Sequence, residues 1–205
     1  MSNEPSNEPQ TPDLETRISE LEAQIAQLSV LTSLPEKANK LQEQVEYLLN
    51  VVTDVERYGK LGECLSAGQW KDADEITTAL MLEAMGQSRH DKLTPDNVLM
   101  CPCSIIRVID RLWLKYSDGK FGFSVQKKFY VEEGGSDDIS KVDMKILEKT
   151  AAKMGWFKDG KFLELENLDF SLDAPAGSHP SGWWRSPYGG KMATYFFARM
   201  IRCGM

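Results

Sequence analysis

No run of apolar residues in the chain approaches the ~18–20 that a membrane-spanning helix needs. The first residues carry neither an apolar signal core nor an arginine-rich transit pattern, so the expectation is a soluble, cytoplasmic protein. An excess of basic charge is also missing. Lys and Arg number 24 against 31 Asp and Glu, a formal net charge of −7. Without a basic stripe, nucleic acid is not expected as the main partner. Histidine is scarce, with two residues, and cysteine is limited to four. Cys101-Pro102-Cys103 has a gap of one residue, tighter than that of zinc knuckles, and neither His90 nor His179 brings a paired partner, so no metal site is expected. No acid–base pair or activated nucleophile stands at a recognisable spacing, and the chain does not read as an enzyme. With no signal sequence, the four cysteines are expected as reduced thiols.

What is present is enough apolar material for a real core: 41% of 205 residues are hydrophobic, and the length fits one domain plus an appendage or two small domains. Residues 1–57 hold eleven acidic and four basic residues, so the whole acidic excess lies there and the remainder is neutral. Residues 1–12 repeat Ser-Asn-Glu-Pro and are expected to be a disordered tail, since they cannot bury enough surface to offset ordering. Residues 13–57 read as a coiled-coil-like helical arm. Leu14, Ile18, Leu21, Ile25 and Leu28 step by four and three, Pro35 interrupts, and Leu41, Val45, Leu48, Val52 and Val55 resume the pattern. So narrow a stripe must be covered by another helix, either by a hairpin turning at Ser33-Leu34-Pro35 or by a homodimer through residues 13–57.

Residues 58–205 read as a globular helical domain, giving an all-α protein. A short helix is expected at Tyr58–Ala67 and a longer one at Trp70–Met85, the latter with Asp72, Asp74 and Glu75 in a first turn that favours negative charge. The centre of the domain is the stretch Arg107 to Gln126. Ile105, Ile109, Leu112, Trp113 and Tyr116 fall on one helical face, Ser117-Asp118-Gly119 stops the helix, Phe121 and Phe123 flank a glycine, and Ser124 is placed to cap the next helix. Later segments read as an amphipathic helix over Lys141–Met154, a turn at Lys158-Asp159-Gly160, and a final helix over Lys191–Cys203.

The stretch Ile-Asp-x-Leu-Trp-x-x-Tyr-Ser-x-Gly-x-Phe-Gly-Phe-Ser-Val-Gln resembles the signature of the Genomes-Uncoupled-four family. Gly68-Gln69-Trp70-Lys71-Asp72-Ala73-Asp74-Glu75-Ile76-Thr77 upstream and Ala174-Pro175-Ala176-Gly177-Ser178-His179-Pro180 downstream agree with it in order and spacing. The resemblance covers about residues 58–205 and leaves the arm aside. It implies a helical fold with a concave face for a tetrapyrrole, either protoporphyrin IX or Mg-protoporphyrin IX. It also implies a non-enzymatic role as an accessory of magnesium chelatase in chlorophyll biosynthesis, with the porphyrin-binding subunit of that enzyme as partner, in solution or peripheral to photosynthetic membranes.

Carried onto this chain, the ligand face would take Leu93, Val98, Phe157 and Leu163 as apolar contacts. Trp183, Trp184 and Arg185 would form a stacking loop, and Tyr195, Arg199 and Arg202 a helical face whose arginines hold propionate carboxylates by paired hydrogen bonds. The plainer readings are a loop anchored by Trp and solvent-facing arginines near a helix end. Ser181-Gly182-Trp183-Trp184-Arg185-Ser186-Pro187 stands where chelatase regulators carry Asn-x-Leu-Arg-Gly. Two alternatives follow from that difference. One is an open-chain bilin ligand, with Cys101 and Cys103 as candidates for a thioether against the reading as buried inert thiols. The other is an adaptor that works through its arm with an empty cup.

Overall fold

The computed structural model describes residues 13–32, 34–183 and 187–205. The expected disordered tail, residues 1–12, lies outside them. The chain divides into two compact units, 1–54 and 55–205. The first unit holds helix α1 (Leu14–Thr32) and the beginning of α2 (Leu34–Ser66). Pro35 does not break α2. It occupies the first turn, where its missing N–H is no loss. Tyr58–Ala67 is therefore the end of one 33-residue helix and not a helix of its own, and Gly68 (φ 70°) ends it.

Among the described residues the second unit is mainly helical, as the patterning requires: α3 (Trp70–Ala84), α4 (Pro95–Leu99), α5 (Cys103–Tyr116), α6 (Phe123–Glu132), α7 (Met144–Lys153) and α8 (Lys191–Arg202). A hairpin of β1 (Phe157–Lys158) and β2 (Lys161–Phe162) turns at Asp159-Gly160, pairing Phe157 with Phe162. Among the described residues no helix is long and apolar enough to cross a membrane.

The core gathers around α5. Ile106, Ile109 and Trp113 are buried, with Phe121 and Phe123 from the following turn, while Ile105, Leu112 and Tyr116 are only half-buried. The buried stripe thus runs one position off the purely apolar one because it includes Asp110. Asp110 also answers how α6 starts. Ser124 is not the cap. Its N–H donates to Asp110 Oδ1 (2.9 Å) and its hydroxyl to the same oxygen (3.1 Å), so a carboxylate from the preceding helix satisfies the N-terminus of α6. Burial pushes the Asp110 carboxyl above its usual range, and the hydrogen bonds from Ser124 and Phe123 pull it back. Gly122 makes this approach possible: its φ is 143°, and a Cβ there would stand 2.8 Å from Asp110 Oδ1.

One cysteine expectation is overturned. Cys103 and Cys203 form a disulfide, tying the start of α5 to the end of α8 across 100 residues. Cys64 and Cys101 remain free and buried.

Candidate functional site

Helix α3 buries Trp70, Ala73, Asp74, Thr77 and Met81. Positions 70, 74, 77 and 81 share one helical face, so Asp74 points into the core and does not serve the helix dipole from the surface. Its carboxylate collects the loop that follows the Ala-Pro turn. Oδ2 accepts from the Ser181 N–H (2.8 Å) and the Ser181 hydroxyl (2.6 Å), and Oδ1 from the Gly182 N–H (2.8 Å). His179 Nδ1 lies 3.4 Å from Oδ2, and its Nε2 is 2.8 Å from the Asp169 carbonyl. These donors explain how a carboxylate 2% exposed is tolerated.

The three motifs read apart in the sequence meet at this node. Trp113 Nε1 donates to Thr77 Oγ1 (2.9 Å), joining α5 to α3. Gln126 Nε2 donates to the Gly177 and Pro180 carbonyls (3.0 and 2.9 Å), and the Gly122 N–H donates to the His179 carbonyl (2.9 Å). The His179 ring stacks on Phe170 (4.6 Å between centroids, 17°) and on Trp113 (6.1 Å, 30°), with Phe121 edge-on at 5.1 Å. The His179–Pro180 peptide is cis.

Directly over this node lies a cavity of about 340 Å³. Lys71, Asp74, Glu75 and Thr78 of α3 form one wall, Glu164, Leu165, Glu166 and Phe170 another, and His90 and Gly182 complete it. The volume falls within the ~300–1,000 Å³ usual for small-molecule sites. Phe170 and Leu165 give it an apolar floor, and the stack of Phe170 on His179, which in turn stacks on Trp113, makes that floor stiff. Four carboxylates against Lys71 make the lining acidic. A Cβ at Gly182 would come within 2.7 Å of Thr78 Oγ1 and 3.1 Å of Asp74 Oδ1, so only glycine fits this wall without displacing it.

Among the described residues, those expected from the sequence to bind ligand are not brought together on one open face. Leu93, Val98 and Trp183 are fully buried. Trp183 packs on Phe196 (4.0 Å) and edge-on to Phe123 (6.1 Å), and its indole N–H meets no acceptor among the described residues. Trp184 and Arg185 lie outside the described residues. Phe157, in β1, and Leu163, just after the hairpin, are half-buried, with the Phe157 ring against Phe162 at 5.1 Å. Tyr195 is half-buried on α8. Arg199 Nε donates to the Cys101 carbonyl (2.8 Å), and Arg202 Nη2 donates to the Asp137 carbonyl (2.8 Å), so both guanidinium groups already hold loops. Cys103 is bonded to Cys203, and Cys101 is buried with its thiol pushed up to about 12 by burial, against a lowering by Arg199. Neither offers an exposed thiolate.

Sequence reasoning missed Asp74, Thr78, Phe170, Gly182 and the pair Glu164 and Glu166. Asp74 had a signal: a carboxylate in phase with Trp70, Thr77 and Met81. Thr78 stands on α3 beside Asp74, and the rest come from the segments after the hairpin, whose folding back onto α3 no periodicity announces.

Comparison with known proteins adds to this geometry. A family model described as GUN4-like matches residues 52–192. A Ycf53-like protein of Synechocystis is 29% identical over 126 residues, which is 60% of this chain and 50% of its own length. The chloroplastic tetrapyrrole-binding protein of Arabidopsis thaliana is 32% identical over 65 residues, 31% of this chain and 24% of its own. The chain thus spans half of the first relative and about a quarter of the second. The ligand-free structure of Arabidopsis thaliana GUN4 superposes with a TM-score of 0.54 at 22% identity, covering 69% of this chain and 91% of that one. GUN4 from Chlamydomonas reinhardtii gives 0.52 at 24%, covering 70% and 86%. At such identities the likeness speaks for the fold.

Proposed function

The chain belongs to the GUN4-like family, and from that premise we propose that it is a non-enzymatic tetrapyrrole-binding regulator. The observation that carries the reading is the 340 Å³ cavity walled by α3, whose floor residue Phe170 stacks on His179, itself stacked on Trp113. A flat macrocycle gains most from such a floor, because its face is apolar and its polar groups lie at the edge. Phe170 and Leu165 cover part of one face. Lys71 stands at the rim for a carboxylate, while Glu75, Glu164 and Glu166 repel one, so the propionate edge of a porphyrin points toward Lys71 or out to solvent. By the family resemblance the ligand is protoporphyrin or its magnesium complex. The enzyme served is magnesium chelatase, through its porphyrin-binding subunit. A shared ligand alters that enzyme's loading only if the complex binds it differently from the separate parts.

The test is a titration of the protein with protoporphyrin, with magnesium protoporphyrin and with a bilin, followed by tryptophan quenching and pigment absorbance. Saturable binding that weakens at least tenfold in Phe170→Ala and severalfold in Lys71→Ala supports the cavity. Weakening in Arg199→Ala with no change in Phe170→Ala would move the ligand to the α8 face. Absence of saturation with every pigment up to ~100 μM would end the proposal.

A further inference from the structure

Among the described residues, the helices of the first unit carry apolar side chains that stand exposed. Leu14, Ile18, Leu21 and Ile25 of α1 are 75%, 53%, 56% and 64% exposed. Leu34, Leu41 and Val45 of α2 are exposed as well, as is Val55 just beyond the unit boundary. The described members of the two stripes therefore do not cover one another. We propose that a second copy of this chain covers them, in a parallel, two-stranded coiled coil.

Three observations choose that occupant. The first is residue type. With Leu14, Leu21 and Leu28 at the d positions of a heptad, Ile18 and Ile25 fall at a. In α2, Leu34, Leu41, Leu48 and Val55 fall at d, with Ala38, Val45 and Val52 at a. β-Branched residues at a with Leu predominating at d favour two parallel strands over higher assemblies. The second is charge across the seam. In a parallel pair, g faces the e position five residues on in the partner, which sets Arg17 against Glu22 of the second copy. An antiparallel pair sets e against e, so Glu15 would face Glu22. The third is length. Each helix supplies about three heptads, which is marginal alone, and both stripes must be used for a stable pair. The phase slips by one residue between Leu28 and Leu34, so α1 and α2 contribute separate seams. A lipid surface fits less well, since Glu15, Glu20 and Glu22 outnumber Arg17 on α1 and oppose anionic headgroups.

The test uses the full chain. Light scattering after gel filtration should give twice the 23.1 kDa chain mass at ~50 μM. Ile18→Glu/Ile25→Glu should return the mass to a monomer while tryptophan emission and the far-UV signal of the second unit persist. Leu14→Cys should form a covalent dimer on mild oxidation, because d residues of parallel strands face their own copies. The native cysteines are buried or already paired, so they do not compete. A monomeric mass at ~100 μM would overturn the proposal and assign the stripe to a different partner. So would a dimer indifferent to the double variant. A dimer in which Leu14→Cys fails to cross-link would overturn the parallel arrangement, because antiparallel strands hold the two Leu14 positions roughly 20 Å or more apart at ~1.5 Å per residue.

Discussion

Replacing Asp74 by alanine removes the acceptor that holds the loop after the Ala-Pro turn onto α3. Three donors are involved: the Ser181 N–H, the Ser181 hydroxyl and the Gly182 N–H, all within 2.6–2.8 Å of the carboxylate. A hydrogen bond to a charged group contributes about 1.5–3 kcal/mol, but the three share one acceptor and do not add. The alanine variant leaves two buried backbone N–H groups with no partner, so the expected loss is about 3–5 kcal/mol. Against a total of ~5–15 kcal/mol for a domain, this is a large fraction. At a urea m-value of about 2 kcal/mol/M it moves the midpoint by roughly 2 M. Asp74→Asn keeps one acceptor oxygen and turns an amide NH2 toward other donors, and should fall between wild type and alanine. Ser181→Ala removes one donor with the backbone bonds intact and should cost about 1 kcal/mol. The assay is urea unfolding followed by the tryptophans, all of which lie in the second unit, together with pigment titration in the folded baseline. Since Asp74 and Gly182 line the cavity, Asp74→Ala should also weaken binding under conditions where the chain remains folded. A loss below ~1 kcal/mol, or an order other than Ala, Asn, Ser181→Ala, would refute the view that this carboxylate organises the site.

Gly182→Ala should weaken both stability and pigment binding, because its Cβ would press on Thr78 Oγ1 at 2.7 Å; Gly182→Ala/Thr78→Ala should recover part of each, and the same urea and pigment titrations read it. Thiol titration should find no fast-reacting thiol in the native protein, two in the unfolded oxidised chain (Cys64 and Cys101) and four after reduction. Cys103→Ser opens a closed loop of 100 residues and should cost about 2–5 kcal/mol in a thermal or urea melt, with no change if the pair is not bonded in solution. Asp110 tests the sign of a pH effect. Burial raises its carboxyl, so the folded chain holds the proton to higher pH than the unfolded one. The contribution is therefore fully present below the unfolded carboxylate range, near 4, and is lost as pH rises through the raised folded value. Asp110→Asn keeps an acceptor for the N-terminus of α6 without the charge. Its stability relative to wild type should improve from pH ~3 to ~7, and a pH-independent difference would show the carboxyl to be unperturbed.

The helices were legible because their cause is local. The face of Ile109 and Trp113, the stop at Asp118-Gly119 and the amphipathic run into Lys153 are each written within one or two turns of chain. The candidate site was not, and the reason is physical. Its floor and walls come from side chains whose role no local pattern reveals: Asp74 reads as a helix-dipole acid, and Gly182 and Phe170 stand outside any helical stripe. What makes them a site is a pairing across more than 100 residues, a buried carboxylate meeting two backbone N–H groups, and no local pattern encodes the donors' location. The same logic explains the misplaced cap at α6. Ser124 has the right residue type at nearly the right position, but a carboxylate fourteen residues earlier takes the role because Gly122 lets the chain pass close to it. Arg199 shows the converse. Its type and spacing suit a propionate, yet the Cys101 carbonyl already occupies its Nε, and a ligand there must compete with that bond. Residue type nominates a binder, but whether the group is still available to bind is decided by tertiary contacts. In this fold that separates Phe170 and Lys71, which line an open cavity, from Arg199 and Arg202, which hold loops in place.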